Sequence, residues 1–192
     1  KENKGLRAAI LYSSIMGTAT LTMAWSVQPY FVHIALPMVM FGILLPLLNL
    51  AAGMVSMHAW RIEERMGRNA VMIFIVTGIA GGYLLMGLIG GIAGLAVLFV
   101  FYGVRGIATP VLRNQINEIT PSDIRATVLS VRNLVIRLAF AGLGPLLGWQ
   151  ADRAGLPNAL VWAGFFFLAG GLWAAASCIR NTPTGPVQEP GL

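Results

Sequence analysis

Six long apolar runs constrain this chain more than any other feature of its sequence. Each run is close to the roughly 20 residues that a helix needs to cross a hydrocarbon core of about 30 Å. The predicted spans lie at about 8–30, 34–57, 70–89, 92–113, 124–147 and 158–179. Because 57% of the 192 residues are hydrophobic and only 10% are charged, the sequence excludes a soluble domain and predicts an integral, multi-pass membrane protein.

The same runs determine the kind of secondary structure. No segment shows the roughly ten-residue alternation of apolar and polar side chains that a membrane β-barrel requires, so helices must satisfy the backbone in lipid. We therefore expect an all-α fold in which residues 1–180 form one six-helix transmembrane bundle. Residues 181–192 are rich in proline and glycine and are predicted to form a disordered cytoplasmic tail.

The 13 lysines and arginines are distributed unequally between the two ends of the predicted spans. The N-terminal side carries nine of them: Lys1, Lys4, Arg7, Arg61, Arg65, Arg68, Arg113, Arg125 and Arg180. The opposite side carries Arg153 alone, so the positive-inside rule predicts that both termini are cytoplasmic, and we expect a bacterial inner (plasma) membrane. Since topology accounts for the net charge of +6, no nucleic-acid partner is expected.

Polar side chains follow one face of four predicted spans. In the first span Ser14, Thr18, Thr22 and Trp25 recur with the period of an α-helix. Comparable stripes are Gly42, Pro46, Asn49 and Gly53; Tyr102, Arg105 and Thr109; and Ser130, Asn133, Arg137, Ala141 and Gly144. The third and sixth spans are almost wholly apolar and are predicted to be lipid-facing supports. This order repeats every three helices, as in the inverted repeats of transporters, although small residues at such spacing also serve helix packing.

Three arginines, Arg105, Arg132 and Arg137, lie inside predicted spans. Arg137 is roughly 18 Å from the inner end of its span at 1.5 Å per residue. A charge at that depth costs about 2.5–3.5 kcal/mol, so we expect it to face a bundle interior, a wet cavity or a partner. Arg105 and Arg132 are shallower and can reach the inner interface with their aliphatic stems. No Asp or Glu lies within a predicted span, so water, an anion or a missing part of the protein must supply the counter-charge.

The loop between the second and third spans reads WRIEERMGRN. Within it, residues 64–68 resemble the loop signature of the major facilitator superfamily, with Glu64 in place of the usual Asp, Trp60 in place of a Gly, and Asn69 in place of the last basic residue. The segment NEITPSDIRATVLSVRNLV, followed by PLLG, is similar to the family's approach to its eleventh helix. The likeness extends over about residues 6–180 and matches the C-terminal six of the family's twelve helices.

This resemblance implies one half of a secondary active transporter, a symporter or antiporter that moves a small molecule by alternating access, built as a three-plus-three inverted repeat. Its partners would be the lipid bilayer and a missing N-terminal six-helix half. The expected lining of the substrate pathway is Thr18, Thr22, Trp25, Gln28, Asn49, Tyr102, Arg105, Asn133 and Arg137. Arg137 would attract an anionic substrate group or pair with a carboxylate of the absent half. The expected gating loop motif is Glu64, Arg65, Gly67 and Arg68.

Two other classes of function are weighed against transport. A non-transporting membrane subunit, whose arginines bind its helices to a partner, is the alternative that the sequence leaves open. An enzyme is not expected, because no span carries a zinc-protease helix motif, a pair of catalytic aspartates or a nucleophile elbow. No cofactor or metal is expected either. The absence of intramembrane acids also argues against proton coupling through these helices.

Overall fold

The computed structural model describes residues 2–181, which form seven helices. Their bounds are α1 Glu2–His33, α2 Met38–Ser56, α3 Ala59–Met66, α4 Arg68–Ile89, α5 Ala93–Glu118, α6 Arg125–Ala154 and α7 Leu156–Asn181. The expected disordered tail lies, from residue 182 onward, outside the described residues.

Five helices, α2, α4, α5, α6 and α7, are long and apolar enough to cross a membrane, and they coincide with five of the six predicted spans. The predicted span 8–30 lies within the 32-residue α1, which has ample length. Helix α1, which carries several Ser and Thr side chains, is not among these five, so its passage through the membrane stays a prediction. The part of the chain described here is thus a membrane-type all-helical protein.

Helix α3 occupies what the sequence presented as a loop. Its Ala59 is buried and Ile62 and Glu63 are half-buried, whereas Arg61 and Glu64 on the other side are exposed. This one-sided burial is what a short amphipathic helix needs to lie along the end of a bundle. The chain then turns at Gly67, whose φ of 78° favours glycine, and enters α4.

Helices α1, α4, α5 and α7 form the packed centre of the bundle. Small residues allow α4 and α7 to approach closely: a methyl group at Gly164 would meet Leu84 Cγ at 2.7 Å, and one at Gly87 would meet the main-chain oxygen of Pro157 at 2.6 Å. The prediction that the third and sixth spans are lipid-facing supports describes only part of this arrangement, because nine residues of α4 and nine of α7 are buried.

Two tyrosines join α1 to α4, which run parallel, and a third joins α1 to the turn that follows α4. Tyr12 donates to the main-chain oxygen of Met72 at 2.8 Å, and Tyr83 donates in the opposite direction to that of Ala19 at 2.6 Å. Near the other end Tyr30 donates to the main-chain oxygen of Gly91 at 2.8 Å. Each hydroxyl thereby satisfies a donor that would be costly to bury without a partner.

Helices α2 and α6 are the least buried of the long helices. Only Leu48 is buried in α2, and only Arg132 and Ile136 are buried in α6. Helix α2 packs chiefly on α5, while α6 packs on α1 and α7. Both helices therefore lie at the edges of the bundle, with most of their surface uncovered in this chain.

Candidate functional site: the open face of the bundle

Four helices form a row in the order α2, α5, α1, α6, because α2 packs on α5, α5 on α1, and α1 on α6. Helices α4 and α7 pack behind this row. We call the side of this row that faces away from α4 and α7 the open face. These four helices are the ones in which the sequence shows polar stripes, so the candidate pathway residues belong to the helices that border the open face.

The polar stripe of α1 is divided between the interior and the open face. Thr18 and Thr22 are each only 2% exposed, as is Ser14, and Thr18 donates back to the main-chain oxygen of Ser14 at 2.8 Å. Trp25 and Gln28 are exposed. The stripe is thus covered as far as Thr22 and open from Trp25 onward, which restricts direct solute contact to the C-terminal third of the helix.

An aromatic pair lies where the stripe becomes exposed. The rings of Trp25 on α1 and Phe140 on α6 stack with centroids 6.0 Å apart and an interplanar angle of 27°. Beside this pair a crevice of about 300 Å³ is lined by Ala24, Trp25 and Gln28. A larger crevice, of about 630 Å³, continues between α1 and the start of α2 and is lined by Gln28, Pro29, Val32, Met38 and Phe41.

The two deepest arginines of α6 occupy different environments. Arg132 is 9% exposed and donates through Nε to the Ser13 hydroxyl of α1 and through Nη1 to Oδ1 of Asn133 at 3.2 Å. Arg137 is exposed. The sequence singled out Arg137 as the deepest cation, but it gave no sign that Arg132, five residues earlier, would point toward α1.

Helical periodicity shows which side Arg137 faces. Arg132, Ile136 and Phe140 recur every fourth residue and form the edge of α6 that meets α1. Val128 and Ala139 on one side of this edge are half-buried. Asn133 and Arg137 lie on the other side of it and are exposed, and Arg137 is about one turn from Phe140, whose ring meets the exposed ring of Trp25. Both side chains therefore border the open face.

The candidate pathway residues on α5 and α2 differ in their exposure. Tyr102 is 2% exposed, and the guanidinium of the half-buried Arg105 lies over its ring, 5.0 Å from the centroid. This cation–π contact offsets part of the free-energy cost of placing the charged guanidinium in apolar surroundings. Asn49 on α2 is exposed and donates to the main-chain oxygen of Leu45 at 2.8 Å.

The expected gating loop motif lies at the end of the bundle that holds α3. Glu64, Arg65 and Gly67 are exposed, whereas Arg68 approaches Glu118 at the end of α5, with Nη1 and Oε2 3.9 Å apart. Glu118 also accepts a hydrogen bond from Asn114 at 2.7 Å. The carboxylate that Arg68 meets is therefore supplied by α5 rather than by the motif.

Glu63 is a second carboxylate of this region that the sequence did not single out. Burial raises the pKa of its carboxyl, and the charge of Glu118 adds to this effect, whereas Gln115 and the charge of Arg68 oppose it. Its position four residues after the buried Ala59 places both on the inner side of α3, and that spacing was the available signal. The region is a small ionic cluster at the helix ends, outside the apolar spans.

No family model matches the chain. Over 94 residues it is 31% identical to a protein named Major facilitator-type transporter psiT2 from Psilocybe cyanescens, and likewise to the protein of that name from Psilocybe cubensis. The matched stretch is 49% of this chain, and it spans only 18% of the length of either relative. With its apolar helices, this chain is therefore an integral membrane protein that is similar, over half of its length, to major facilitator-type transporters.

Proposed function

We propose that this chain is the C-terminal six-helix half of a secondary active transporter that moves a small solute by alternating access. In this proposal α1, α2 and α4 form one three-helix repeat, and α5, α6 and α7 form the other. Support comes from the row of four helices, all with polar stripes, and from the likeness to two transporters. Expected pathway contacts are Trp25, Gln28, Asn49, Arg105, Asn133 and Arg137, with Thr18, Thr22 and Tyr102 lying behind them.

The observation that carries the proposal is the exposed Arg137 at the edge of the open face. A guanidinium about 18 Å along its span cannot face hydrocarbon without a large cost, because the charge loses its hydration there. On the side of α6 toward α1, the residues near Arg137 include the polar Asn133 and the aromatic Phe140, which stacks on Trp25. A water-filled pathway, or the other half of the transporter, would remove that cost.

The missing half would cover the edges of the row. Helix α2 exposes an apolar stripe at helical spacing, Ile43, Leu47, Leu50 and Met54, and α6 exposes Leu134 and Leu138. In the proposal a second set of six helices meets these edges and closes the open face into a central pathway. Lipid covers the outer sides of α4 and α7.

The unequal distribution of basic residues supports cytoplasmic termini in this proposal. The two relatives are fungal and give no support to the expected bacterial inner membrane. The cluster of Arg68, Glu118 and Glu63 would then lie on the cytoplasmic side. We propose that it anchors the gating loop, since ion pairs at helix ends can form and break between two states at modest cost.

The test is transport by the complete gene product in proteoliposomes. Arg137→Ala is expected to abolish flux while leaving expression and melting temperature unchanged, because the side chain is exposed and contributes little to packing. Arg153→Ala is the matched control: Arg153 is also an exposed cation of α6, but it lies at the far end over the ring of Trp149, at 4.3 Å. Wild-type flux in Arg137→Ala would count against a pathway role.

The same preparation tests the alternative of a non-transporting subunit. A gene product of six helices that purifies as a stable complex with another protein, and that carries no solute across the vesicle, would establish the interaction role instead. A product with six further spans and measurable flux supports the transporter.

A further inference from the structure

On the exposed side of α6, the Asn133 amide offers hydrogen-bond donors rather than an acceptor, because its side chain is held in one orientation. Arg132 donates through Nη1 to Oδ1 of Asn133, and a guanidinium carries donors only, so the amide oxygen must be the atom that faces it. Arg132 is itself fixed by its bond to the Ser13 hydroxyl. The amide nitrogen of Asn133, with its two N–H donors, is therefore the group left to the exposed side.

Arg137 extends this surface by one helical turn. Residues four apart on a helix are neighbours, with Cβ atoms about 5–6 Å apart, and the guanidinium again offers only donors. Among residues 4–181, the acidic side chains lie in α3, at helix ends or in the loops. The ion pair found among these residues joins Arg68 at the start of α4 to Glu118 at the end of α5. The described chain thus brings no carboxylate to the Asn133–Arg137 edge, which presents donors and a positive charge.

An apolar platform adjoins this donor surface. Phe140 lies three residues beyond Arg137, so its ring is near the same edge, and the exposed ring of Trp25 stacks on it. The adjacent crevice of about 300 Å³ has room for a small ring system, at the lower end of the volumes of ligand pockets. A flat apolar group on Trp25 would place a substituent within reach of the donors.

We infer that the open face selects organic anions with an aromatic body, whose acidic head is bound by Asn133 and Arg137 and whose ring lies on Trp25 and Phe140. This inference rests on the proposed transport function for its biological sense, but the binding site can be tested without flux. Arg132 is a positioning residue, because it acts through Asn133 and Ser13. Carboxylate, sulfonate and phosphate heads share the required chemistry, since each offers several acceptors and a negative charge.

The experiment measures equilibrium binding of three probes to the purified complete gene product: naphthalenesulfonate, naphthalenesulfonamide and naphthylmethylammonium, all substituted at the same ring position. Wild type is expected to bind the sulfonate at least about tenfold more tightly than the neutral sulfonamide, and the cation least. Arg137→Gln is expected to weaken sulfonate binding about ten- to hundredfold, as for loss of a charge-assisted hydrogen bond, with little change for the sulfonamide. Arg137→Lys should retain part of the preference, because it keeps the charge.

Two further variants separate the head group from the ring. Trp25→Ala is expected to weaken both the sulfonate and the sulfonamide while leaving their ratio unchanged. Arg153→Gln, which removes a cation over an aromatic ring at the far end of α6, is expected to change neither. Equal affinity of wild type for sulfonate and sulfonamide, an unchanged ratio in Arg137→Gln, or no measurable sulfonate binding overturns the inference.

The outcome for transport is read separately. Cysteines placed at Gln28 and Asn133 are labelled with a membrane-impermeant thiol reagent from each side of the vesicle. Labelling that changes sides on addition of a transported solute, together with no preference for anions, refutes the substrate class and leaves the transporter proposal standing. Anion binding that depends on Arg137, without any flux, supports the binding site and refutes the transporter proposal.

Discussion

Replacing Gly106 by alanine should loosen the attachment of α2 to the bundle. Gly106 is buried where α5 crosses α2, and a methyl group there would collide with the main-chain oxygen of Ala52, whose C and Cα atoms would each lie 3.1 Å away. The obstacle is backbone rather than a flexible side chain, so relief requires the two helices to separate. Ordinary C···O contacts are about 3.3–3.6 Å, which implies a displacement of about 1 Å.

The size of the effect follows from two opposing contributions. Overpacking of this kind costs about 1–3 kcal/mol. Alanine is the better helix former by about 0.8–1.0 kcal/mol, so the net loss of stability is at most about 2 kcal/mol. For a chain of this size each kcal/mol corresponds to about 2–4 °C, and the melting temperature should fall by up to about 8 °C.

Gly103→Ala supplies the matched control, because it makes the same chemical change one turn away on α5. The nearest atom to its added methyl would be Val55 Cγ2 at 4.0 Å, an ordinary contact. This variant should be neutral or more stable by up to about 1 kcal/mol from helix propensity alone. The assay is heating in detergent, with unfolding followed by the reaction of a thiol-specific dye with the buried Cys178. Equal melting temperatures for the two variants would refute the close approach of α2 and α5.

Three further predictions concern buried polar groups. Tyr83→Phe removes the hydrogen bond to Ala19 and should cost about 1 kcal/mol in the same melting assay, and a value indistinguishable from wild type would contradict the contact. Because burial raises the pKa of Glu63, the folded protein holds that proton more tightly than the unfolded chain, and stability should fall as pH rises from near the ordinary value of about 4.3 through the raised one. Glu63→Gln should flatten this part of the stability profile, and parallel profiles for the two proteins would exclude the effect. Arg132→Lys keeps the charge but lacks the guanidinium fork, so it should lower the free energy of unfolding by about 1–2 kcal/mol. It should also weaken binding of naphthalenesulfonate more than binding of the sulfonamide. An equal loss of affinity for both probes would assign Arg132 a structural role alone.

Apolar length and charge distribution predicted most of the helices, because the bilayer imposes both requirements locally on the sequence. The six runs were located to within a few residues of six long helices, five of which are apolar enough to span. The extension of α6 to Ala154 and of α5 to Glu118 was not predicted, since polar helix ends beyond the apolar run carry no hydropathy signal. Helix α3 was missed for the same reason.

The division of each helix surface between neighbours was harder to predict. Ser14, Thr18, Thr22 and Trp25 share a face, as the period indicates, yet only Trp25 is exposed because the neighbouring helices cover one half of α1. Likewise Arg132 and Arg137 are five residues apart, yet Arg132 is buried against α1 whereas Arg137 is exposed. Periodicity gives the relative directions of side chains along a helix, but which helix stands opposite is a tertiary property that this chain does not encode locally.

The alternating direction of the tyrosine bonds between α1 and α4 has a mechanical consequence. Tyr12 and Tyr83 join α1 to α4, and Tyr30, which is 18 residues or about 27 Å along α1 from Tyr12, joins α1 to the turn after α4. Sliding α1 past α4 by a single residue would break the bonds of Tyr12 and Tyr83 together. We therefore expect α1 and α4 to move as one stiff beam, and we expect internal flexing of the bundle first in α2 and α6, the long helices that bury the fewest residues.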